Sequence, residues 1–167
     1  GFVAVRDALA KLDLSTADPT LVQNTAAKSF LNAVGASSGP LYATAFMRAG
    51  AAVKGKTTLG VSDTVAMLQA MAKGIQDRGK AEIGEKTMVD AWAPAADAAG
   101  NALAAGKNLA QCLDAAAQAA DAGAEATKAL VAGKGRSSRL GDRAIGHMDP
   151  GAASAVVVIE AIRASLS

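Results

Sequence analysis

The chain has 167 residues and 51% apolar content, enough for one domain that buries roughly two-thirds of its unfolded surface, yet only 3% of it is aromatic. A core of Ala, Val, Leu, Ile and Met, with alanine the best helix former, points to an all-α protein. The net charge of +2 is too small for the clustered basic face of a nucleic-acid binder, and the single cysteine, Cys112, forbids an internal disulfide and suits a reducing compartment.

In chain order, the first helix is predicted over Phe2–Leu12, with Phe2, Val5, Leu9 and Leu12 on one face. Asp18 and Pro19 mark the second as N-cap and first helical residue; Val22, Ala26, Phe30 and Ala33 form its stripe, and Gly35 ends it. A third opens at Pro40 and continues to Lys54. A fourth opens at a Ser62 cap and ends before Gly79. The fifth begins near Thr87, where Thr87 and Asp90 resemble a capping box, and Pro94 should kink or interrupt it. The sixth is the alanine-rich run Leu109–Val131, which places Cys112 in the core as a small apolar side chain. The seventh opens at Asp149-Pro150, and its "AVVVIEAI" segment reads as a helix apolar nearly all round, hence central. Similar lengths and short turns suggest an antiparallel up-and-down bundle. No apolar run approaches the ~18 residues of a membrane span, and no basic-then-apolar signal segment opens the chain, so the protein reads as soluble and cytoplasmic.

Gly50 to Thr57, "GAAVKGKT", matches the phosphate-loop pattern G-x-x-x-x-G-K-[ST]. That pattern needs a strand before it and a helix after it, so that backbone amides curl round the phosphates. Here it starts inside the third helix and runs into a turn, and the match is read as a decoy.

Three connections carry more content than joining helices requires. In "VGASSGPLYAT", Val34–Thr44, glycines and the hydroxyls of Ser37 and Ser38 precede a helix N-terminus, a ready anion site. "DRGKAEIGEKTM", Asp77–Met88, places Gly79 and Gly84 beside Lys80, Glu82, Glu85 and Lys86; taken alone it reads as a solvated connection. "GKGRSSRLGDRAIGHMDPGA", Gly133–Ala152, reads as a long structureless connection of the kind that is usually functional or disordered. Lys134, Arg136, Arg139 and Arg143 put four positive charges within ten residues, opposed there only by Asp142, and Asp149-Pro150-Gly151 offers a second helix N-terminus. Arginine with helix-terminal amides is what a polyphosphate needs. His147, the sole histidine, has no triad partner and no second metal ligand at a recognisable spacing; it is read as structural or ligand-contacting. Neither serine has an adjacent base to make it a nucleophile, so no catalytic residue is expected.

The segments "GASSGPLYAT", "RGKAEIGEKTMVDAW" and "GRSSRLGDRAIGHMDPGA", in this order, closely resemble the nucleotide-binding L subunit of dihydroxyacetone kinases and the matching domain of the single-chain ATP-dependent kinases. The resemblance covers nearly the whole chain. It implies a barrel of eight antiparallel helices, seven of them here, with ADP or ATP bound among the loops at one end. Ser37 and Ser38 would contact the phosphates, Gly79 and Met88 would approach the base and nearby parts of the nucleotide, and Arg136 with Asp149, Pro150 and Gly151 would complete the pocket. Met88 has a competing role in core packing, and Arg139 stands where the family carries an aromatic.

The family also holds two Mg2+ ions on an aspartate motif, D-x-x-x-x-D-x-D, that this sequence lacks. The chain is therefore read as a single nucleotide-binding domain over 1–167, N-terminally incomplete, whose metal ligands are expected upstream of residue 1. A partner K subunit would hold dihydroxyacetone. The residues leave open whether phosphate comes from free ATP or from a phosphotransferase-system M subunit recharging resident ADP; a standalone chain of this length leans toward the second. Two rivals stand beside this reading: a related kinase for another small hydroxy-ketone or acyl substrate, and a non-catalytic helical interaction module that has lost its metal site.

Overall fold

Asp18 shows how the helices are set. Its carboxylate accepts the Leu21 amide at 2.7 Å while Pro19, which has no amide to waste, takes the first helical position. The computed structural model describes residues 1–166, apart from the side chains of Arg136, Ser137 and Leu140. Among the described residues there are seven α-helices and no strand. The chain divides into two units, Gly1–Gly79 and Lys80–Ser167.

The first unit holds α1 (Phe2–Leu9), α2 (Pro19–Ala33), α3 (Ser38–Ala52) and α4 (Val61–Gly79). Successive helices pack antiparallel: Gly50 near the end of α3 meets Gln23 and Thr20 early in α2, and Gly74 late in α4 meets Thr44 and Arg48 of α3. Phe30, Tyr42, Val53, Val65, Leu68 and Ile75 are buried between them. Phe2 packs edge-on against Phe30, with ring centroids 5.0 Å apart.

Helix α1 stops three residues short of the expected Leu12. Just beyond it the Asp13 side chain accepts the Ser15 amide at 3.0 Å and hydroxyl at 2.6 Å, a local turn that competes with another helical turn. Helix α4 starts at Val61 rather than after a Ser62 cap. Its end is held by the Asp63 carboxylate, which accepts the Gly60 amide at 3.0 Å. Gly79 is the last residue of α4, and Lys80 instead takes the left-handed conformation (φ 49°) that ends the helix. The phosphate-loop match fails its context, as expected: Gly50–Ala52 are helical, Gly55 turns at φ 80°, and Lys56 pairs with Asp63 at 3.3 Å.

The second unit holds α5 (Val89–Ala104), α6 (Leu109–Ala126) and α7 (Pro150–Leu166), with Trp92, Cys112, Leu113 and Ile159 fully buried among them. Helix α5 runs through Pro94 without interruption. Proline has no amide for the carbonyl four residues earlier, Asp90, and that carbonyl faces Gly123 of α6. A Cβ at residue 123 would overlap the Asp90 oxygen, so only glycine lets α6 approach there. Asn108 and Gln111 form a full capping box at the start of α6, which ends at Ala126 in a 3-10 turn (Thr127–Ala129) short of the expected Val131.

Helix α7 is one-sided rather than central. Ala152, Ala155 and Ile159 face inward, while Val157 is 68% exposed in this structure. The connection before it is not structureless either: 3-10 turns occupy Arg136–Ala144, broken at Gly141 (φ 56°). No described helix is long and apolar enough to cross a membrane.

Candidate functional site

In the first unit the Val34–Ser38 turn delivers Ser37 and Ser38 to the start of α3. Ser37 is exposed, Ser38 half-buried, and Ser37 lays no side-chain cap on the helix end. Pro40 has no amide, and the Gly39 amide goes to the Ala36 carbonyl at 2.9 Å. This end of α3 thus keeps two hydroxyls and its positive dipole end for an outside acceptor. Gly79, exposed at the end of α4, lies across from the first turn of α3: a Cβ there would stand 3.2 Å from the Leu41 side chain. The structure therefore brings Gly79 against Leu41, in the first turn of the helix that Ser37 and Ser38 open.

In the second unit Met88 and the Asp149–Gly151 turn come together. Met88 is nine-tenths buried just before α5, and a Cβ on Gly151 would lie 3.3 Å from its amide nitrogen and 3.4 Å from its Cβ. Met88 thus packs in the core, the competing role, and also abuts the turn.

Asp149 is buried, and its Oδ2 accepts the Ala152 amide at 2.8 Å. The next amide, Ala153, donates to the Asp149 carbonyl at 2.9 Å. With Pro150 lacking an amide and the Ala152 and Ala153 amides taken, most of the first turn of α7 is satisfied from within. The expected second set of helix-terminal donors is largely spent on Asp149, and the turn offers shape more than free amides. Burial pushes the Asp149 carboxyl above its ordinary value. The Ala152 and Gly151 amides oppose that shift, the Asp90 charge adds to it, and Lys86 reduces it.

The basic connection is also partly committed. Lys134 pairs with Glu85 at 3.0 Å, and the Gly133 amide donates to the Glu85 carbonyl at 3.2 Å. Arg139 and Arg143 are exposed, and the Arg136 side chain lies outside the described residues. His147 is exposed, while its backbone carbonyl accepts a hydrogen bond from Lys86, so what it supplies here is structural.

Lys86 is the residue that sequence reasoning missed. Expected in a solvated connection, it is 2% exposed, with its ammonium donating to the Thr127 carbonyl at 2.5 Å and the His147 carbonyl at 2.6 Å. Thr127, fully buried, accepts the Asp149 amide at 2.9 Å through its hydroxyl oxygen. Among the described residues no group of three or more His, Cys, Asp or Glu could hold a metal ion.

A family model described as the DAK2 domain matches residues 1–164. The ADP-binding subunit DhaL of the PEP-dependent dihydroxyacetone kinase 2 of Listeria innocua is 38% identical over 166 residues, covering 99% of this chain and 76% of that one. The corresponding Escherichia coli subunit is 37% identical, covering 84% of this chain and 66% of its own length. The solved dihydroxyacetone kinase of C. freundii superposes with a TM-score of 0.69 at 28% identity, over 98% of this chain and 28% of that one. Its complex with AMP-PNP and Mg2+ gives 0.64 at 30% identity, over 89% of this chain and 23% of that one. The chain thus spans 66–76% of these two bacterial subunits and about a quarter of the solved kinase.

Proposed function

The chain belongs to the DAK2 domain family, and on that premise we propose that it is the nucleotide-binding component of a dihydroxyacetone kinase, working in the cytoplasm. It holds ADP or ATP and presents a phosphoryl group to dihydroxyacetone carried by a partner K subunit. The observation that carries this reading is the meeting of Met88 with the Asp149–Gly151 turn, which joins two separate sequence segments that the family resemblance assigns to the nucleotide. In the first unit, Ser37 and Ser38 contact phosphate and Gly79 approaches the nucleotide. In the second, Met88, Asp149, Pro150 and Gly151 shape its binding surface and Arg136 supplies positive charge. Residues 1–167 are read as a single nucleotide-binding domain.

Phosphoryl transfer asks chiefly for positioning and charge neutralisation. This chain's residues suit that work: the Ser37 and Ser38 hydroxyls at the start of α3, a basic connection before α7, and no base beside either serine. The described residues do not by themselves make a magnesium site. Two relatives at 37–38% identity are named PEP-dependent and ADP-binding. That favours a resident ADP recharged by a phosphotransferase-system M subunit over free ATP as the phosphate source.

Titration calorimetry with magnesium-ADP on the intact protein tests the assignment. Arg136→Ala should weaken binding tenfold or more, about 1.4 kcal/mol, whereas Lys56→Ala in the decoy segment should leave it unchanged. Equal losses in the two variants would reject the site.

A further inference from the structure

The buried ammonium of Lys86 has no role in the reading above, and its surroundings give it one. Asp90 shapes the turn that carries it: the carboxylate accepts the Gly84 amide at 2.5 Å through one oxygen and the Thr87 amide at 2.7 Å through the other. Between those points Lys86 adopts φ 58°, a left-handed conformation that a residue with a Cβ takes only at a cost. The result is a side chain turned inward, to carbonyls 41 and 61 residues away in sequence.

Those carbonyls belong to Thr127 and His147, which flank the connection between α6 and α7. Thr127 also takes the Asp149 amide, so the two ends of the connection are fastened to each other and to Lys86. Neighbouring Glu85 fastens the connection again at Gly133 and Lys134. No carboxylate lies within ion-pair distance of Lys86 among the described residues, so its hydrogen-bond partners are carbonyls, with the buried Asp149 carboxyl near enough only to feel its charge. Burying an ammonium in this way is costly, and an apolar side chain would fill the space at less expense. What an apolar side chain could not do is donate to two carbonyls from separate parts of the chain.

We propose that Lys86 is a positioning residue. Its ammonium closes the Thr127–Asp149 connection and thereby sets both the basic segment and the Asp149–Gly151 turn for an anionic nucleotide. Lys86 itself is too buried and too fully engaged to touch the ligand. The proposal rests on the reading that this connection serves a nucleotide.

The test uses the intact protein and the variants Lys86→Met and Thr127→Val, with Glu85→Gln as a comparison that leaves Lys86 in place. Three quantities are read: tryptic cleavage after Arg139 and Arg143 in the folded protein, the thermal midpoint, and magnesium-ADP affinity by calorimetry. Lys86→Met should raise cleavage at those two arginines at least tenfold and weaken ADP tenfold or more. Cleavage elsewhere should stay slow, with the thermal midpoint within about 5 °C of the parent. Thr127→Val, which keeps the volume, should move both local readouts a few-fold in the same direction, and Glu85→Gln less.

Parental cleavage rates in Lys86→Met would overturn the clamp whatever happens to ADP. Should that variant not fold, parental rates in Thr127→Val would overturn it. Fast cleavage with unchanged ADP affinity would confirm the clamp but reject positioning for a nucleotide, along with the assignment of this connection. Weak ADP binding in Lys86→Met with Arg136→Ala unaffected would separate the two readings in the other direction.

Discussion

At the start of α3 a glycine–serine turn leads into Pro40, and Ser37 lays no side chain over the helix end. At the start of α7 a glycine-rich connection leads into Pro150, and the Asp149 carboxylate takes up the Ala152 amide. The two share their sequence cue, small flexible residues before a helix with a proline in its first turn (third residue of α3, first of α7), and differ in what satisfies the terminal amides. An uncapped helix end is available to a phosphate, whereas a capped one is available only as a surface. Glycine and proline thus announce where a helix begins, and the residue just before the helix decides whether its end can bind anything.

Several substitutions would sharpen or break that contrast. The largest effect is expected at Gly151, where a Cβ would stand 2.8 Å from Asp149 Oδ2 and 3.3 Å from the Met88 amide nitrogen. Gly151→Ala should lower unfolding free energy by about 2–3 kcal/mol in denaturant titrations. Gly35→Ala at the other start should cost far less, since nothing lies within 4 Å of a Cβ there. Asp149→Ala removes a cap from buried amides and should cost about 1–2 kcal/mol. Ser37→Ala removes no cap and should stay within about 0.5 kcal/mol while still weakening ADP. A Ser37→Ala loss as large as that of Asp149→Ala would erase the distinction.

The smallest effect concerns pH. Because burial holds the Asp149 carboxyl above its ordinary value, the folded protein takes up that proton more readily than the unfolded chain does. Its contribution to stability therefore falls as pH rises from the ordinary aspartate value through the folded one, and is level above that. Asp149→Asn keeps an acceptor for the amides and removes the charge. The stability of Asp149→Asn relative to the parent should rise across that acidic window and then stay constant toward neutrality. Glu85 behaves oppositely: the Glu82 amide, then Lys134, holds it below its ordinary value, so its contribution is lost as pH falls. It is present in both proteins and cancels in the difference.

Much of the fold was legible because its signals are local. Asp18-Pro19 and Asp149-Pro150 mark helix starts by their own side chains, and the Val65, Leu68, Ala72 and Ile75 stripe marks the buried side of α4. The phosphate-loop match could be dismissed for the same reason, since helical residues precede it. What escaped depends on distant partners. Lys86 reads as an ordinary surface charge until Thr127 and His147 are brought to it. Helix α7 reads as central because Val156, Val157 and Val158 run round its circumference, yet packing in its unit uses only the Ala152, Ala155 and Ile159 side. The Asp149 cap was legible, but not its consequence, that capping consumes the donors a ligand would need.

Amide hydrogen exchange on the intact protein, with and without saturating magnesium-ADP, tests the central claim most directly. The account predicts added protection at residues 37–41 and 133–151 and none at residues 54–58. Protection of the 54–58 segment, or no change at either helix start, would contradict it.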